Sequence, residues 1–320
     1  MIPDAALVTR FAADLDALVT PGDRIGVAVS GGPDSLALLL LAAAARPGVI
    51  EAATVDHGLR TGSAGEAGMV AHLCTELGVP HATLAVTVEP GASLQAQARM
   101  ARYQALALWA KDRGLTAIAT GHHLDDQAET LLMRVARGSG VGGLAGVQAS
   151  RPLSISVQLV RPLLGWRRSE LTTIVAEAGL TPVDDPSNAD ERYDRTSARA
   201  LLASTEWLDP ERLAQVAANA ADAEEALAWS AAQAFKSRAD RNGESIRLDP
   251  SDLPRELRRR LLVTAFDALG AEEPAGPALM RALESLEAGA TVTLGGLKLE
   301  GGDHWRLSPA PPRRPRPFTP

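Results

Sequence analysis

Short apolar runs alternate with longer stretches of helical periodicity through the first half of the chain. The runs have the residue types of β-strands, and an apolar pattern that repeats every three to four positions follows most of them. The predicted strands cover residues 24–30, 49–55, 81–88, 116–120 and 155–160. The predicted helices cover residues 35–45, 65–77, 94–112 and 125–137. This alternation predicts an α/β fold with a doubly wound parallel sheet, in which ligands bind at the carboxyl ends of the strands.

The pattern changes after residue 209. An alanine-rich stretch with apolar residues at helical spacing predicts one long connecting helix. An arginine-rich helical pattern at 254–269 and short Gly/Val/Leu runs near 291–299 then predict a smaller α+β domain. The proline-rich end is predicted to be a flexible tail. The predicted organisation is a first domain at 1–209, a linker helix at 210–240, a small second domain at 241–308 and the tail at 309–320.

Composition agrees with a globular protein that has a sizeable core. Apolar residues make up 46% and charged residues 22% of the 320 positions. The single cysteine, Cys74, excludes an intrachain disulfide and any cysteine-based zinc or iron–sulfur site within the chain, and it fits a reducing, cytoplasmic setting. The first residues do not have the pattern of a signal peptide, and the apolar run at 36–45 is too short to cross a bilayer. No membrane association is therefore expected.

The net charge of −7 disfavours a nucleic-acid partner when it is averaged over the chain. The arginines are nevertheless grouped, whereas lysine occurs only at positions 111, 236 and 298. A basic face on an acidic protein remains compatible with this distribution. The groups are Arg99 with Arg102, Arg134 with Arg137, Arg161 with Arg167 and Arg168, Arg192 with Arg195 and Arg199, and Arg255 with Arg258, Arg259 and Arg260.

The first predicted strand runs directly into a glycine-containing turn and a helix, in the sequence VAVSGGPDS at 27–35. Such a turn directs unpaired backbone N–H groups and the positive end of the helix dipole at one point, so an anion is expected there. Gly31 and Gly32 leave room for a phosphate, and the hydroxyls of Ser30 and Ser35 add donors. The loop is neither a Walker A motif nor a GxGxxG turn.

The fourth predicted strand is followed by GHHLDDQAET at 121–130. Asp125 is predicted to cap the next helix, which would place Asp126 and Glu129 on one helix face. Paired carboxylates beside a nucleotide site suit either Mg²⁺ on phosphates or a cationic substrate, although acidic residues also occur at helix N-termini for electrostatic reasons alone. Of the two histidines, at most one is expected to line the site, and zinc is not expected.

Two further groups of polar residues are candidates for the site. One follows the second predicted strand, and the other lies on the predicted helix before the fourth strand. Asp56 and His57 come directly after the second strand, where an aspartate either contacts a ligand or caps a turn. Arg99 and Arg102 are three positions apart on a predicted helix, so they share a face that suits phosphates or solvent equally.

Taken together, these motifs resemble the PP-loop (N-type) ATP pyrophosphatases and, among them, the bacterial tRNA(Ile)-lysidine synthetase family. The ATP loop alone does not separate the subfamilies, but the combination of motifs in this order is specific. Where many members read RNxIR, this chain has RTSAR at 195–199, which keeps both arginines. The matching stretches are VAVSGGPDS, TVDHGLR at 54–60, ARMARY at 98–103, residues 119–147, RPLLGWRRSEL at 161–171 and residues 179–195.

The resemblance implies that ATP adenylates the C2 carbonyl oxygen of the wobble cytidine in tRNA(Ile) with anticodon CAU, and that the ε-amine of free lysine then displaces AMP to give lysidine. It implies ATP as co-substrate, Mg²⁺ with Asp34 as a contact, lysine and this tRNA as partners, and a homodimer as an option. It also implies that the second domain contacts tRNA. By this resemblance the ATP site comprises Ser30, Gly31, Gly32, Pro33, Asp34, Ser35 and His57, the catalytic residues are Asp34, Arg102, Asp126 and Glu129, and the substrate-binding residues are Arg99, Asp126, Glu129, Arg195 and Arg199.

Two alternatives stay open at the level of sequence. The first is another PP-loop enzyme that modifies tRNA or forms an amide with release of AMP, although a thiolase would be expected to use cysteine pairs. The second is an ATP-binding sensor without turnover, which would not need Arg99, Arg102, Asp126 and Glu129 beside the loop.

Overall fold

The computed structural model describes residues 2–58, 63–87, 94–183 and 194–311. The chain divides into two compact units, at 1–221 and 222–320, and the division falls within one long helix. The helices of the first unit and this long helix are α1 (Ala5–Asp16), α2 (Pro33–Ala45), α3 (Ser63–Glu76), α4 (Leu94–Arg113), α5 (Leu124–Ala136), α6 (Val141–Leu144), α7 (Arg168–Glu177), α8 (Asp194–Ser204) and α9 (Pro210–Arg238). The strands of the first unit are β1 (Ile25–Ala28), β2 (Ile50–Asp56), β3 (His81–Ala85), β4 (Ala117–Ala119), β5 (Ser150–Ser154) and β6 (Val157–Val160).

The first unit is built on a six-stranded sheet of order β3-β2-β1-β4-β6-β5. All neighbouring strands in it are parallel except β5, which pairs antiparallel with β6. The order reverses between β1 and β4, so the crevice at the carboxyl ends of these two strands is where a doubly wound sheet binds its ligand. The predicted fold class is confirmed.

Helix α2 is the centre of the larger core. Every side chain from Leu36 to Ala42 is buried, which explains why its sequence is apolar on all sides rather than along one stripe. The opposite face of the sheet is covered by α4 through Leu106 and Trp109. A Cβ at Gly26 would lie 2.6 Å from the Trp109 ring, so β1 needs glycine where α4 crosses it.

The predicted strand at 155–160 is shorter than expected, since β6 begins at Val157. It forms a hairpin with β5, an edge strand that the sequence pattern did not indicate. Strand β3 ends at Ala85, and residue 88 of the predicted strand lies outside the described residues. The predicted helices agree with the observed bounds to within two residues.

The second unit consists of an antiparallel sheet with two helices packed on it. The strand order is β7-β8-β11-β10-β9, and the core is formed by Phe266, Leu283, Leu299 and Trp305 among others. This agrees with the α+β prediction for this part of the chain. Its elements are β7 (Ala239–Asn242), β8 (Ser245–Leu248), α10 (Arg255–Ala268), α11 (Gly276–Glu287), β9 (Thr291–Leu294), β10 (Leu297–Glu300) and β11 (Trp305–Pro309).

Candidate active site

The loop after β1 is closed by the side chain of Ser35. Its Oγ accepts a hydrogen bond from the backbone N–H of Ser30 at 3.1 Å and donates one to the carbonyl of Gly32 at 2.9 Å. The Ser30 hydroxyl lies 3.2 Å from the same oxygen. Because Ser35 donates its only proton to Gly32, the Ser30 hydroxyl is the donor in this contact, and the backbone N–H groups at the start of α2 are the donors left for a ligand. This loop has the geometry of an anion cradle.

Two glycines make the cradle possible. Gly31 has φ +85°, in the left-handed region that favours glycine. Gly121, in the loop after β4, approaches the start of α2 so closely that a Cβ there would lie 3.0 Å from the carbonyl carbon and oxygen of Asp34. The two loops that end β1 and β4 therefore fit together only because position 121 carries no side chain.

Asp34 lies in the first turn of α2 with one unused oxygen. Its Oδ1 is buried and has no hydrogen-bond partner, while Oδ2 lies 3.5 Å from Nε2 of His123. An unsatisfied carboxylate oxygen at an anion cradle fits a cation that bridges to phosphate, since Mg²⁺ is usually held by one or two carboxylates together with substrate phosphates. The described residues contain no cluster of three or more His, Cys, Asp or Glu side chains that would bind a metal by itself.

Asp126 and Glu129 share one face of α5, as the spacing predicts, and both are buried. Their negative charge is met by arginines of α8. Arg195 donates from Nε to Glu129 and from Nη2 to Asp126, each at 2.8 Å, and Arg199 donates from Nε to Glu129 at 2.9 Å. Burial raises the pKa of Glu129, but the hydrogen bonds and charges of Arg199 and Arg195 outweigh it, so the pKa is lowered overall.

Asp125 does not cap α5, contrary to the prediction. The helix begins one residue earlier, with His123 at the N-cap, and Asp126 accepts the backbone N–H of His123 at 3.0 Å. Asp125 instead accepts the backbone N–H of Arg168 at 2.7 Å, and the Arg167 guanidinium lies 3.3 Å from it. The Asp125 carboxylate therefore connects the start of α7 to α5. The two segments are far apart in sequence, and the rule for helix caps considers only neighbouring residues.

His123 is fully buried beneath these carboxylates. Burial lowers the pKa of His123, but the hydrogen bond with Asp34 and the charges of Asp126 and Asp34 more than compensate, so the pKa is raised. The histidine thus joins the cradle, through Asp34, to the carboxylate pair.

A cleft of about 250 Å³ opens beside the carboxylate pair. His122 lines it, whereas His123 does not, which agrees with the expectation that at most one of the two histidines faces the site. Burial, together with Arg161 and Arg102, lowers the pKa of His122 to about 2, so this ring is neutral at physiological pH. The cleft is lined by His57, Ala98, Arg99, Arg102, Tyr103, His122 and Arg195.

The cleft carries strong positive charge. Burial and the neighbouring Arg99 lower the pKa of Arg102 against the opposing effect of Tyr103. Burial and Arg102 likewise lower the pKa of His57, against the opposing charge of Asp56. Asp56 caps a turn, because its Oδ1 accepts the N–H of Gly58 at 2.9 Å. A concave surface with these groups is suited to an anionic ligand.

Sequence reasoning placed the site residues at the carboxyl ends of the strands, and the described residues among them fall into two groups. Residues 30–35 form the cradle, while His57, Arg99, Arg102 and Arg195 line the cleft beside Asp126, Glu129 and Arg199. Their roles stay predictions. Arg60, Arg192, the segment at 184–193 and the tail beyond residue 311 lie outside the described residues.

Three residues at this site were not singled out as functional by the sequence, which are Tyr103, Arg151 and Arg161, and the sequence did not decide between His122 and His123. Arg99 and Arg151 place their guanidinium carbons 5.1 and 5.0 Å from the centroid of the Tyr103 ring. Arg161 directly follows β6, at the carboxyl end of a strand, and that position was the signal that could have revealed it.

Other parts of the chain bear on the alternatives. Cys74 is buried and its pKa is raised by burial to about 12, so its thiol is not a nucleophile at neutral pH. Within the described ranges, none of the helices combines the length and apolarity that crossing a bilayer requires.

The arginines of α10 pair with carboxylates: Arg255 with Glu284, Arg258 with Glu287, Arg259 with Glu256, and Arg260 with Glu224 and Glu256.

Comparison with known proteins agrees with this architecture. Residues 7–206 match the family model of the PP-loop domain. A U34-tRNA thiolase from Methanococcus maripaludis that holds a [4Fe-4S] cluster has the same fold, with a TM-score of 0.56 over 69% of this chain and 80% of that one. The sequence identity of the two is 17%, so this likeness concerns the fold alone. The fold and the cradle after β1 define a PP-loop, ATP-utilising protein.

The sequence relatives narrow the class. The tRNA(Ile)-lysidine synthase of Novosphingobium aromaticivorans is 48% identical over 309 residues, which are 96% of this chain and 94% of that protein. The tRNA(Ile)-lysidine synthase of Zymomonas mobilis is 45% identical over 296 residues, or 91% and 90% of the two chains. The chain belongs to the tRNA(Ile)-lysidine synthase family.

Proposed function

We propose that this chain is a carbon–nitrogen ligase that uses ATP to attach free lysine to C2 of the wobble cytidine in tRNA(Ile) with anticodon CAU, which yields lysidine, AMP and pyrophosphate. The observation that carries the proposal is the match to lysidine synthases over nearly the whole chain at up to 48% identity. The alternative of another AMP-releasing PP-loop enzyme has no comparable support.

The cradle at residues 30–35 holds the triphosphate in this proposal. Backbone N–H groups of the loop and the dipole of α2 receive the phosphates. Asp34 is the contact for Mg²⁺, because its Oδ1 is buried without a partner. The ion supplies positive charge that offsets the charge developing on the phosphates. The C2 oxygen of cytidine is a poor leaving group, and adenylation turns it into a good one.

Asp126 and Glu129 receive the ammonium group of lysine. Their two carboxylates are already bonded to Arg195 and Arg199. Lysine binding therefore requires a guanidinium to give way, and Arg195 is the candidate because it bonds both carboxylates and also lines the cleft. The lysine site is formed by exchange of one cation for another.

The attacking amine must lose a proton although the pKa of free lysine is ~10.4. Glu129 becomes able to accept this proton once a guanidinium has given way to lysine, because the arginines are what lower its pKa. The nearby guanidinium groups make the deprotonation easier, since a cation next to an amine lowers its pKa. The carboxylates then serve to orient the amine, and the final acceptor of the proton is Asp126 or Glu129.

The predicted domain functions belong to the same proposal. Residues 1–209 catalyse the reaction, residues 210–240 form the linker, and residues 241–308 contact tRNA. We place the enzyme in the cytoplasm, where its tRNA is, with a homodimer as the form to test.

The experiment that tests the function uses labelled lysine. The protein is incubated with ATP, Mg²⁺, labelled lysine and a tRNA(Ile) transcript with anticodon CAU, beside a transcript in which the wobble cytidine is replaced. We expect label in the first transcript only, with one AMP released for each lysine attached. Label in neither transcript, while a lysidine synthase of known activity labels the first under the same conditions, would contradict the proposal.

A further inference from the structure

Arg151 and Arg161, which lie beside Tyr103 together with Arg99, have no role in the reaction as described so far. Tyr103 projects from α4, with Arg99 and Arg151 over its ring at 5.1 and 5.0 Å. The phenol of Tyr103 also lies beside Arg161. Burial raises the pKa of Tyr103, but Arg99, Arg102, Arg161 and Arg151 together outweigh this and lower it. We call Arg99, Arg151, Arg161 and Tyr103 the Tyr103 cluster.

The positive charge of the Tyr103 cluster is not balanced within the described part of the chain. None of its three guanidinium groups forms an ion pair with a carboxylate there. The arginines of α10 provide a contrast, because each of them has a carboxylate partner. Like charges brought together without anions are costly unless a ligand supplies the missing charge.

Arg161 adds a second, independent observation. It is only 3% exposed, and one of its Nη atoms donates to the carbonyl of Gln148. Its Nε is buried without a hydrogen-bond partner. Burial, with Arg151 and Arg99 and against the opposing effect of Tyr103, lowers the pKa of Arg161. The buried guanidinium of Arg161 therefore keeps one donor that a further acceptor can use.

The location of the cluster indicates which anion it receives. The triphosphate cradle follows β1, whereas Arg151 lies on β5, the edge strand of the sheet, with β4 and β6 between β1 and β5. Arg151, on β5, and Arg161, directly after β6, are therefore separated from the cradle by at least β4. A nucleic-acid chain that enters the cleft can continue past β5, because β5 is an edge strand. The phosphates of ATP are already held by the cradle after β1.

We propose that the Tyr103 cluster binds a backbone phosphodiester of the substrate RNA beside the cytidine that is modified. Arg99 and Arg151 supply the outer guanidinium groups, and Arg161 supplies a fixed inner one. Planar guanidinium groups match phosphate in a bidentate manner, and the arginines hold one another in place through the ring. This inference rests on the proposed function, since it takes the RNA as the substrate of the same cleft.

The test measures RNA binding and ATP kinetics separately. Arg151→Gln and Arg99→Gln remove one charge each, and Arg151→Lys restores the charge without the planar group. Lys111→Gln is the matched control, because it removes one exposed charge from the other end of α4. Binding of the tRNA(Ile) transcript is measured by fluorescence anisotropy between 50 and 300 mM salt, and the KM for ATP is measured at saturating RNA.

We expect Arg151→Gln and Arg99→Gln each to weaken RNA binding by about tenfold and to reduce the slope of log K against log salt by about 1. Arg151→Lys recovers part of the affinity, and Lys111→Gln leaves both the affinity and the slope as in the wild type. The KM for ATP does not change in any variant.

Two results would overturn the inference. One is RNA affinity and salt slope that are unchanged in both Gln variants. The other is a raised KM for ATP with RNA binding intact, which would make the cluster part of the nucleotide site. Arg161→Lys tests the buried position without removing its charge, and circular dichroism confirms that each variant is folded. Because RNA binding is measured without turnover, the anisotropy result is independent of whether the wild type attaches lysine.

Discussion

Arg195 and Glu129 form an ion pair in which the carboxylate is almost completely buried and the guanidinium is not. The Nε of Arg195 lies 2.8 Å from Oε2 of Glu129, while the side chains are 42% and 1% exposed, respectively. The same guanidinium reaches Asp126 at 2.8 Å. A fixed, buried anion with an accessible cation is an arrangement in which the cation can be exchanged, because only the accessible partner has to move.

The first prediction concerns this exchange. In Arg195→Gln, we expect the KM for lysine to fall about fivefold, because the amine no longer has to displace a guanidinium. Hydrogen bonds of a charged group contribute about 1.5–3 kcal/mol each in folded proteins, so their displacement weakens lysine binding in the wild type. We expect kcat to fall about tenfold, because one cation of the cleft is lost. Both constants are measured from labelled lysine incorporated into tRNA at saturating ATP.

The control is Arg134→Gln, an exposed arginine at the end of α5, for which neither constant is expected to change. A KM for lysine that rises in Arg195→Gln would show that the arginine assists lysine binding and is not displaced by it.

The second prediction separates the two chemical steps. Glu129→Gln keeps the shape of the side chain but removes the charge that faces Arg195 and Arg199. We expect pyrophosphate release in the presence of tRNA to remain within about threefold of the wild type, and lysine attachment to fall by at least about a hundredfold, because the amine loses its charged partner. Pyrophosphate and labelled tRNA are measured in the same reactions.

The same variant is expected to lose about 2 kcal/mol of unfolding free energy. This is less than the ~3–5 kcal/mol typical of fully buried pairs, because Arg195 and Arg199 are 42% and 36% exposed. Glu211→Gln, at a 64% exposed carboxylate 3.4 Å from Arg167, is the control with little expected effect. If lysine attachment persists in Glu129→Gln at the wild-type rate, the ammonium binds elsewhere.

Local patterns were sufficient to predict the cradle and the central helix. The turn after β1 and the apolar stretch of α2 are continuous in sequence, so strand, glycine turn and helix could be inferred without tertiary information. The face shared by Asp126 and Glu129 followed from helix geometry in the same way. Parallel strand order then placed these segments at one edge of the sheet.

Contacts between distant segments were not predictable in this way. Asp125 was predicted to be a helix cap, but it binds Arg168, 43 positions away, and no local rule anticipates that partner. Strand β5 has few of the residues that mark strands, because its pairing with β6 rather than its composition makes it one. The role of Arg151 at the Tyr103 ring could not be seen until that edge strand was placed.

The third prediction tests the close approach of the two loops. In Gly121→Ala, the new Cβ would lie 3.0 Å from the carbonyl carbon and oxygen of Asp34 and 3.1 Å from the backbone nitrogen of Ser35. Backbone atoms in a helix turn cannot move aside individually, so the start of α2 has to shift. We expect a loss of about 1–3 kcal/mol of unfolding free energy and a KM for ATP at least about tenfold higher.

Gly68→Ala is the matched control, because a Cβ at that helical position meets nothing within 4 Å. Urea unfolding and the ATP dependence of pyrophosphate release are measured for both variants. An unchanged KM for ATP in Gly121→Ala would show that the start of α2 tolerates displacement, and that the cradle is not set by this contact.

The fourth prediction is a pH dependence of stability that originates at His122. Its pKa is lowered to about 2 in the folded protein by burial and by neighbouring arginines, from 6.5 in the unfolded chain. Below pH 6.5 the unfolded state therefore binds a proton that the folded state does not, and stability falls as the pH falls. His123 has a raised pKa, so its effect lies above pH 6.5 and has the opposite sign, with stability lost as the pH rises. Between pH 6.5 and 4.5 the difference in unfolding free energy between the wild type and His122→Asn is expected to change by about 1 kcal/mol per pH unit. This average lies below the ~1.4 of one full proton, because the unfolded imidazole is only half protonated at pH 6.5. His72→Asn, at an exposed histidine on α3, is the control and should leave the slope as in the wild type. If His122→Asn also has the slope of the wild type, the imidazole of His122 is not kept neutral by burial and by the positive charge of the cleft.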